Sequence, residues 1–334
     1  MRRALTANAL RTLRSIGAFS YAADSPRRRN SLLILCYHGI ALQDEHLCWP
    51  HLFITAKQFR ERLRSLQQQG ASVLPLEEAL ARLQSGSLPP RSVVLTFDDG
   101  FCDYLEHAVP VLAEFNFPCT LYLTTHYCDH RLPIINLVLD YVIWKSGNTS
   151  VSLPRYGLKQ NLPSTSFEQR QAIVKYLLNY AQRRGMDTSS KDELAREVAE
   201  DLGVNYGKII EQRILQILSP DEVRQTAKAG TDIQLHTHRH RVPKNQVLFT
   251  REIEDNRRRI IDLTGKTPEH FCYPSGVYSP EFFEWLRTCG VKSATTCESG
   301  LAFRNSAPMR LPRVLDDSGM NALRFESVVS GLFV

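Results

Sequence analysis

This chain of 334 residues predicts an α/β fold of parallel strands joined by crossover helices. Three observations carry that expectation. Short apolar runs alternate with amphipathic helical stretches along most of the sequence, as strand–helix–strand units require. The runs are continuous rather than alternating, as in strands buried on both faces. Two of them end in clusters of acid or histidine, the position at which α/β sheets and barrels present their chemistry.

Ser31 to Tyr37 (SLLILCY) is the first strand candidate. Thr55 and Gln58 form a capping box ahead of a helix with Phe59, Leu63 and Leu66 on one face, closed by Gly70. Val73 and Leu74 make a short strand, and Leu76, Ala79, Leu80 and Leu83 a second amphipathic helix ending near Gly86. After Pro89 and Pro90, residues 92–97 form a strand that delivers Asp98 and Asp99 to its C-terminal end. A helix bearing Leu105, Val109, Leu112 and Phe115 follows, then a strand over 119–123. Residues 126–217 break the rhythm with helices near 136–144, 167–184 and 191–202 and a polar stretch containing Pro154 and Pro163. So long an excursion is expected to be a helical insertion or lid. The rhythm resumes at Ser219-Pro220-Asp221-Glu222, an N-cap with proline at the first helical position and glutamate three residues on. A strand at Asp232 to Leu235 then carries His236 to the rim. Residues 251–263 read as a helix, 270–273 as a strand, 280–289 as a helix and 292–296 as a strand.

Composition narrows the class. Hydrophobic residues make up 43% and charged residues 23% of the chain, which excludes global disorder. The net charge of +6 comes from basic residues interleaved with acidic ones, so no nucleic-acid partner is expected. The arginine runs 27–29 and 257–259 read as solvated faces. Eight cysteines lack any C-x-x-C pattern and sit mostly in apolar runs, as reduced, buried thiols do. Residues 1–30 read as a basic N-terminal leader without a signal-peptide core, since Arg11 and Arg14 cut its apolar stretches. A helix turning Leu5, Leu10, Leu13 and Ile16 to one side would permit peripheral contact with an anionic membrane. A cytoplasmic, possibly membrane-associated location is the expectation, and the sequence does not disclose the oligomeric state.

Two motifs carry the chemistry: Thr96-Phe97-Asp98-Asp99-Gly100 and His236-Thr237-His238-Arg239-His240. Adjacent carboxylates repel unless a cation or proton separates their roles. His236 and His240, four apart, would share one side of a helical turn and present two imidazoles to one ion, at about 2.0–2.1 Å for zinc. His238 between them should point elsewhere. One aspartate and two histidines leave an open coordination position, the makeup of a catalytic metal site. Hydrolysis of an acyl bond, with the spare carboxylate as base, is the natural use.

The pairing of TFDDG with H-T-x-x-H resembles the NodB-homology polysaccharide deacetylases of carbohydrate esterase family 4, over roughly residues 31 to 315 apart from the insertion. The resemblance implies a deformed (β/α) barrel of about seven parallel strands, occupying 31–334 with the helical insertion at about 126–217. It implies removal of N-acetyl groups from amino sugars of a bacterial-type surface polysaccharide or its lipid-linked precursor, with a divalent metal, usually Zn2+. By position, Asp98 resembles the family's general base, and Asp99, His236 and His240 its metal ligands. Phe271-Cys272-Tyr273-Pro274-Ser275-Gly276 resembles the third motif, which assigns substrate and oxyanion contacts to Tyr273 and to the Ser275 N–H. Many members carry an arginine there to orient the base; Cys272 stands in its place. The family's late histidine is absent. Cys36-Tyr37-His38-Gly39 looks like the early Tyr-His element of permuted relatives, which makes His38 the expected general acid.

O-deacetylation or deformylation would use the same site. A silent glycan-binding barrel would have no need of the full ligand set, and a magnesium phosphoryl-transfer site would call for oxygen ligands and a phosphate-cradling glycine loop instead.

Overall fold

A computed structural model describes residues 7–334. Leu5 lies outside them. The strands that matter are β1 (Ser31–Tyr37), β2 (Ser92–Asp99), β3 (Thr120–Leu123), β4 (Asp232–Leu235), β5 (His270–Cys272), β6 (Ser293–Thr295) and β7 (Val314–Leu315). Each pairs in parallel with its neighbours in the order β7-β1-β2-β3-β4-β5-β6. A bridge from Thr295 to Leu311, just ahead of β7, brings the two ends of that order together, so the sheet curls into the expected barrel. Two short flanking strands thicken the start of the wall: Ser72–Val73 runs parallel to β2, and Ala302–Phe303 antiparallel to β1. β1 and β2 are buried throughout, because crossover helices cover the outside and side chains fill the inside.

The helices start and stop where side-chain chemistry dictates. Thr55 and Gln58 form the capping box of the helix Ala56–Gln68, which buries Phe59, Leu63 and Leu66. Ser219 and Glu222 do the same for Pro220–Lys228.

Three expectations change. The excursion between β3 and β4 contains, besides the helices Ile135–Lys145, Phe167–Arg183 and Thr188–Asp201, an antiparallel hairpin, Ser150–Leu153 with Leu158–Pro163. It occupies the stretch read as merely polar, where the inward-facing Val151 and Leu153 are buried. Residues 7–30 of the segment expected as a leader are docked on the barrel. Leu10 is buried, and Arg14 pairs with Glu326 of the C-terminal helix Ala322–Val329 at 2.9 Å, while Ile16 stays exposed. Arg28 does not face solvent either. Its guanidinium donates to the carbonyls of Val329 (3.0 Å), Ser31 (3.2 Å) and Ser92 (3.1 Å), closing the N-terminal end of β1 and β2. Among the described residues no helix is long and apolar enough to cross a membrane, and all eight cysteines are free thiols.

Candidate active site

β2 ends in the two aspartates, and the turn after it is tight. Asp99 and Gly100 both take positive φ, 69° and 88°. A Cβ on Gly100 would lie 2.3 Å from Leu123 Cδ1 of β3, so only glycine lets the chain turn this close to the neighbouring strand. At the end of β4, residues 236–240 form a loop and not the helical turn expected from their spacing. Left-handed backbone at Thr237 (φ 61°) and His240 (φ 53°) folds the loop back, and the two imidazole rings converge with centroids 5.0 Å apart. Together with Ser275 (φ 54°), four non-glycine residues here hold a conformation that costs about 1 kcal/mol or more each.

The geometry separates the aspartates. Asp99 Oδ1 lies 3.2 Å from His236 Nε2 and 3.3 Å from His240 Nε2. His236 is fixed behind this face by Nδ1, 2.8 Å from the carbonyl of Cys272, and by its backbone N–H, which donates to Asn256 Oδ1 at 2.9 Å. Asn256 in turn donates to Leu123 O and Thr125 Oγ1. His238 turns away, as expected, with Nδ1 2.9 Å from Thr125 Oγ1. Asp98 is held differently: both its oxygens are taken by Arg313, each at 2.7 Å. The Cys272 thiol lies 3.3 Å, the Cys36 thiol 3.7 Å and His38 Nε2 3.8 Å from Asp98 Oδ2.

Burial by itself would raise the pKa of Asp98, but the paired guanidinium of Arg313 more than offsets it and holds the carboxyl well below its ordinary range. Asp99, whose burial is likewise outweighed by His240 and His236, is held at about 2. Burial lowers His240 and so favours the neutral imidazole that ligates metals. The ligand atoms of Asp99, His236 and His240 lie within 4.8 Å of one another. Two imidazole nitrogens and one carboxylate oxygen fit zinc or a similar divalent ion. Asp98 is a poorer ligand, since Arg313 already occupies both of its oxygens.

A cavity of ≈ 550 Å³ opens over these groups, lined by His38, Asp98, Asp99, His236, His240 and Ser275. Ser275 is the second residue of a 3-10 turn, so its N–H has no partner within the turn. Tyr273, in contrast, is buried beneath the cavity with its hydroxyl donating to Met309 O at 3.0 Å; its side chain is a core strut and does not reach the cavity. Trp49, Tyr127, Leu137 and Gln171 add to the walls, the last three from the insertion. Arg313 is the residue that sequence reasoning misses. It lies 3.0 Å from Cys272 Sγ, in the place where Cys272 leaves an arginine wanting. The vacant motif position is the only sequence signal pointing to it.

Fold and site together define a barrel hydrolase whose histidine–carboxylate cluster sits at the C-terminal rim. Residues 85–294 match the polysaccharide deacetylase family. A poly-beta-1,6-N-acetyl-D-glucosamine N-deacetylase of Staphylococcus epidermidis is 28% identical over 109 residues, covering 30% of this chain and 38% of that protein. One of Staphylococcus aureus is 29% identical over 142 residues, covering 37% and 49%. The chain thus spans about half the length of these relatives or less. The Streptococcus pyogenes deacetylase PplD superposes with a TM-score of 0.59 at 17% identity, covering 90% of this chain and 98% of that one. IcaB from Ammonifex degensii gives 0.58 at 17%, covering 91% and 98%. At such identities the likeness is one of fold. The chain belongs to the polysaccharide deacetylase family.

Proposed function

We propose that this protein removes N-acetyl groups from amino sugars of a surface polysaccharide or of its lipid-linked precursor, using a divalent ion, most often zinc. One observation carries the reading: two histidines and Asp99 converge on one point, with an arginine-anchored carboxylate, Asp98, beside them on the same cavity wall. The substrates named for the staphylococcal relatives, poly-beta-1,6-N-acetyl-D-glucosamine chains, support an N-acetylated glycan.

An ion held by Asp99, His236 and His240 would supply Lewis acidity toward the scissile carbonyl. Asp98 takes the proton of the attacking water, and Arg313 keeps that carboxylate ionised and aimed. The Ser275 N–H donates to the oxyanion as it develops. His38, on the cavity wall with Nε2 3.8 Å from Asp98 Oδ2, returns a proton to the departing amine. The insertion wall of Tyr127, Leu137 and Gln171 shields the reacting centre and meets the sugar.

The test is acetate release from β-1,6-linked N-acetylglucosamine oligomers together with metal analysis. Asp98→Asn should keep the metal and lose turnover by about 10²–10⁴-fold, whereas His236→Ala should lose both. Near-normal acetate release by Asp98→Asn would overturn the base assignment, and bound metal without release from any N-acetylated glycan would overturn the enzyme reading.

A further inference from the structure

A second, smaller cavity of ≈ 80 Å³ adjoins the first; Tyr127, Arg239 and Arg241 line both. Its remaining charged or titratable walls, His126, His130, Lys191, Asp192 and Tyr206, come from the insertion. The charges there do not balance. Asp192 is engaged by the Tyr206 hydroxyl at 2.5 Å and by Arg196 at 3.4 Å. Arg239 is shared between Glu252 (3.1 Å) and Asp255 (3.7 Å). Arg241 and Lys191 have no carboxylate within ion-pair distance among the described residues. His126 feels this field: burial first, then His130, His238, Arg239 and Arg241, hold it down to about 4. It therefore stands neutral among these cations, able to hydrogen-bond a ligand without adding charge.

We propose that this annex binds an anionic substituent of the glycan, a phosphate or a carboxylate carried close to the sugar whose acetyl group is removed. The inference rests on the deacetylase reading of the adjoining cavity. A guanidinium offers a planar donor fork that matches an oxyanion, and a nearby ammonium adds charge without fixing geometry. A neutral sugar would leave Arg241 without a counter-charge and Lys191 with only the field of Asp187, which forms no close ion pair with it. The small volume suits a substituent better than a further sugar ring.

The experiment measures binding of three probes to the full, metal-loaded chain by calorimetry: a neutral β-1,6 N-acetylglucosamine disaccharide, its 1-phosphate, and a disaccharide of N-acetylglucosamine and glucuronate. At low salt a charged probe should bind about tenfold more tightly than the neutral one, and salt should erode the difference. Preference for the phosphate or the uronate probe identifies the source of the charge. Arg241→Gln should bring the charged-to-neutral ratio toward one, and Lys191→Gln, at the surface of the insertion, should lower it in part. Equal affinity for all three probes, or a ratio unmoved by both substitutions, would overturn the proposal. Acetate release followed on the same probes keeps the two readings apart. Release without charge preference removes the annex and leaves the deacetylase, while charge preference without release from any probe removes the deacetylase.

Discussion

Asp98 poses an electrostatic problem at the residue scale. A general base, the role proposed for Asp98, works best with a pKa near the working pH, yet Arg313 grips both its oxygens at 2.7 Å and holds it far lower. The pair gives up basicity for a carboxylate that is ionised and correctly aimed throughout the neutral range. Arg313→Gln should therefore move the acid limb of the kcat/KM profile upward by about one pH unit or more and lower its plateau. It should also cost about 3–5 kcal/mol of stability, because it leaves a buried carboxylate without its counter-charge. Arg313→Lys, which keeps the charge and loses the fork, should shift the limb less. A pH–rate profile with denaturant titration checks both, and an acid limb that stays put in Arg313→Gln would mean that another group titrates there. The two aspartates, the two converging histidines and His38 are legible in the sequence because each lies in a short motif at the end of an apolar run. Arg313 is not, for it reaches Asp98 across 215 residues and is one of 41 lysines and arginines. Cys272 marks the gap but says nothing of which part of the chain fills it.

Elements position these residues, and the two ends of the strands do different work. At the C-terminal end, Gly100→Ala would force a side chain into left-handed backbone and against Leu123. The expected loss is about 1–3 kcal/mol, with weaker metal binding as Asp99 shifts; denaturant and metal titrations measure the two effects. At the N-terminal end, Arg28→Met would leave the carbonyls of Val329, Ser31 and Ser92 without their donor. A loss of about 3 kcal/mol or more is expected from unpaired buried acceptors, with kcat of the folded enzyme nearly unchanged because the chemistry lies at the other rim. A comparable fall in kcat would show that the two ends are coupled. Strands such as Ser31–Tyr37 and helices such as Ala56–Gln68 announce themselves by long apolar runs or paired caps. Val314–Leu315 does not, since two residues have no periodicity. The spacing of His236 and His240 suggests a helix, but two left-handed residues in a loop achieve the same convergence. Arg28 looks like part of a solvated run until tertiary structure shows the carbonyls it satisfies.

For the whole molecule, the barrel closes along a short seam. β7 pairs with β1 through Leu35–Val314 and Cys36–Leu315, and on the other side Thr295 bridges to Leu311, whose N–H donates to Ala294 O and whose carbonyl accepts from Thr296 N–H, each at 2.9 Å. The seam also positions Arg313, so closure and the anchoring of Asp98 depend on the same few residues. A buried clamp reinforces it: Arg62, on the helix Ala56–Gln68, donates to Asp316 at 2.9 Å and to the carbonyl of Met320, and stacks 4.8 Å from the Phe325 ring. Burial is the larger influence on Asp316. It pushes the carboxyl up to about 6 despite Arg62. The folded state therefore binds more protons than the unfolded state between about pH 4 and pH 6, and stability supplied by this group is full below that window and lost as pH rises through it. The full effect is on the order of 3 kcal/mol. Asp316→Asn does not titrate. It should be less stable than the natural chain at pH 4, and the gap should narrow by roughly that amount by pH 7. Denaturant unfolding of both proteins across this range decides the matter. If the gap widens instead, Arg62 outweighs burial and Asp316 holds the seam as an ion pair.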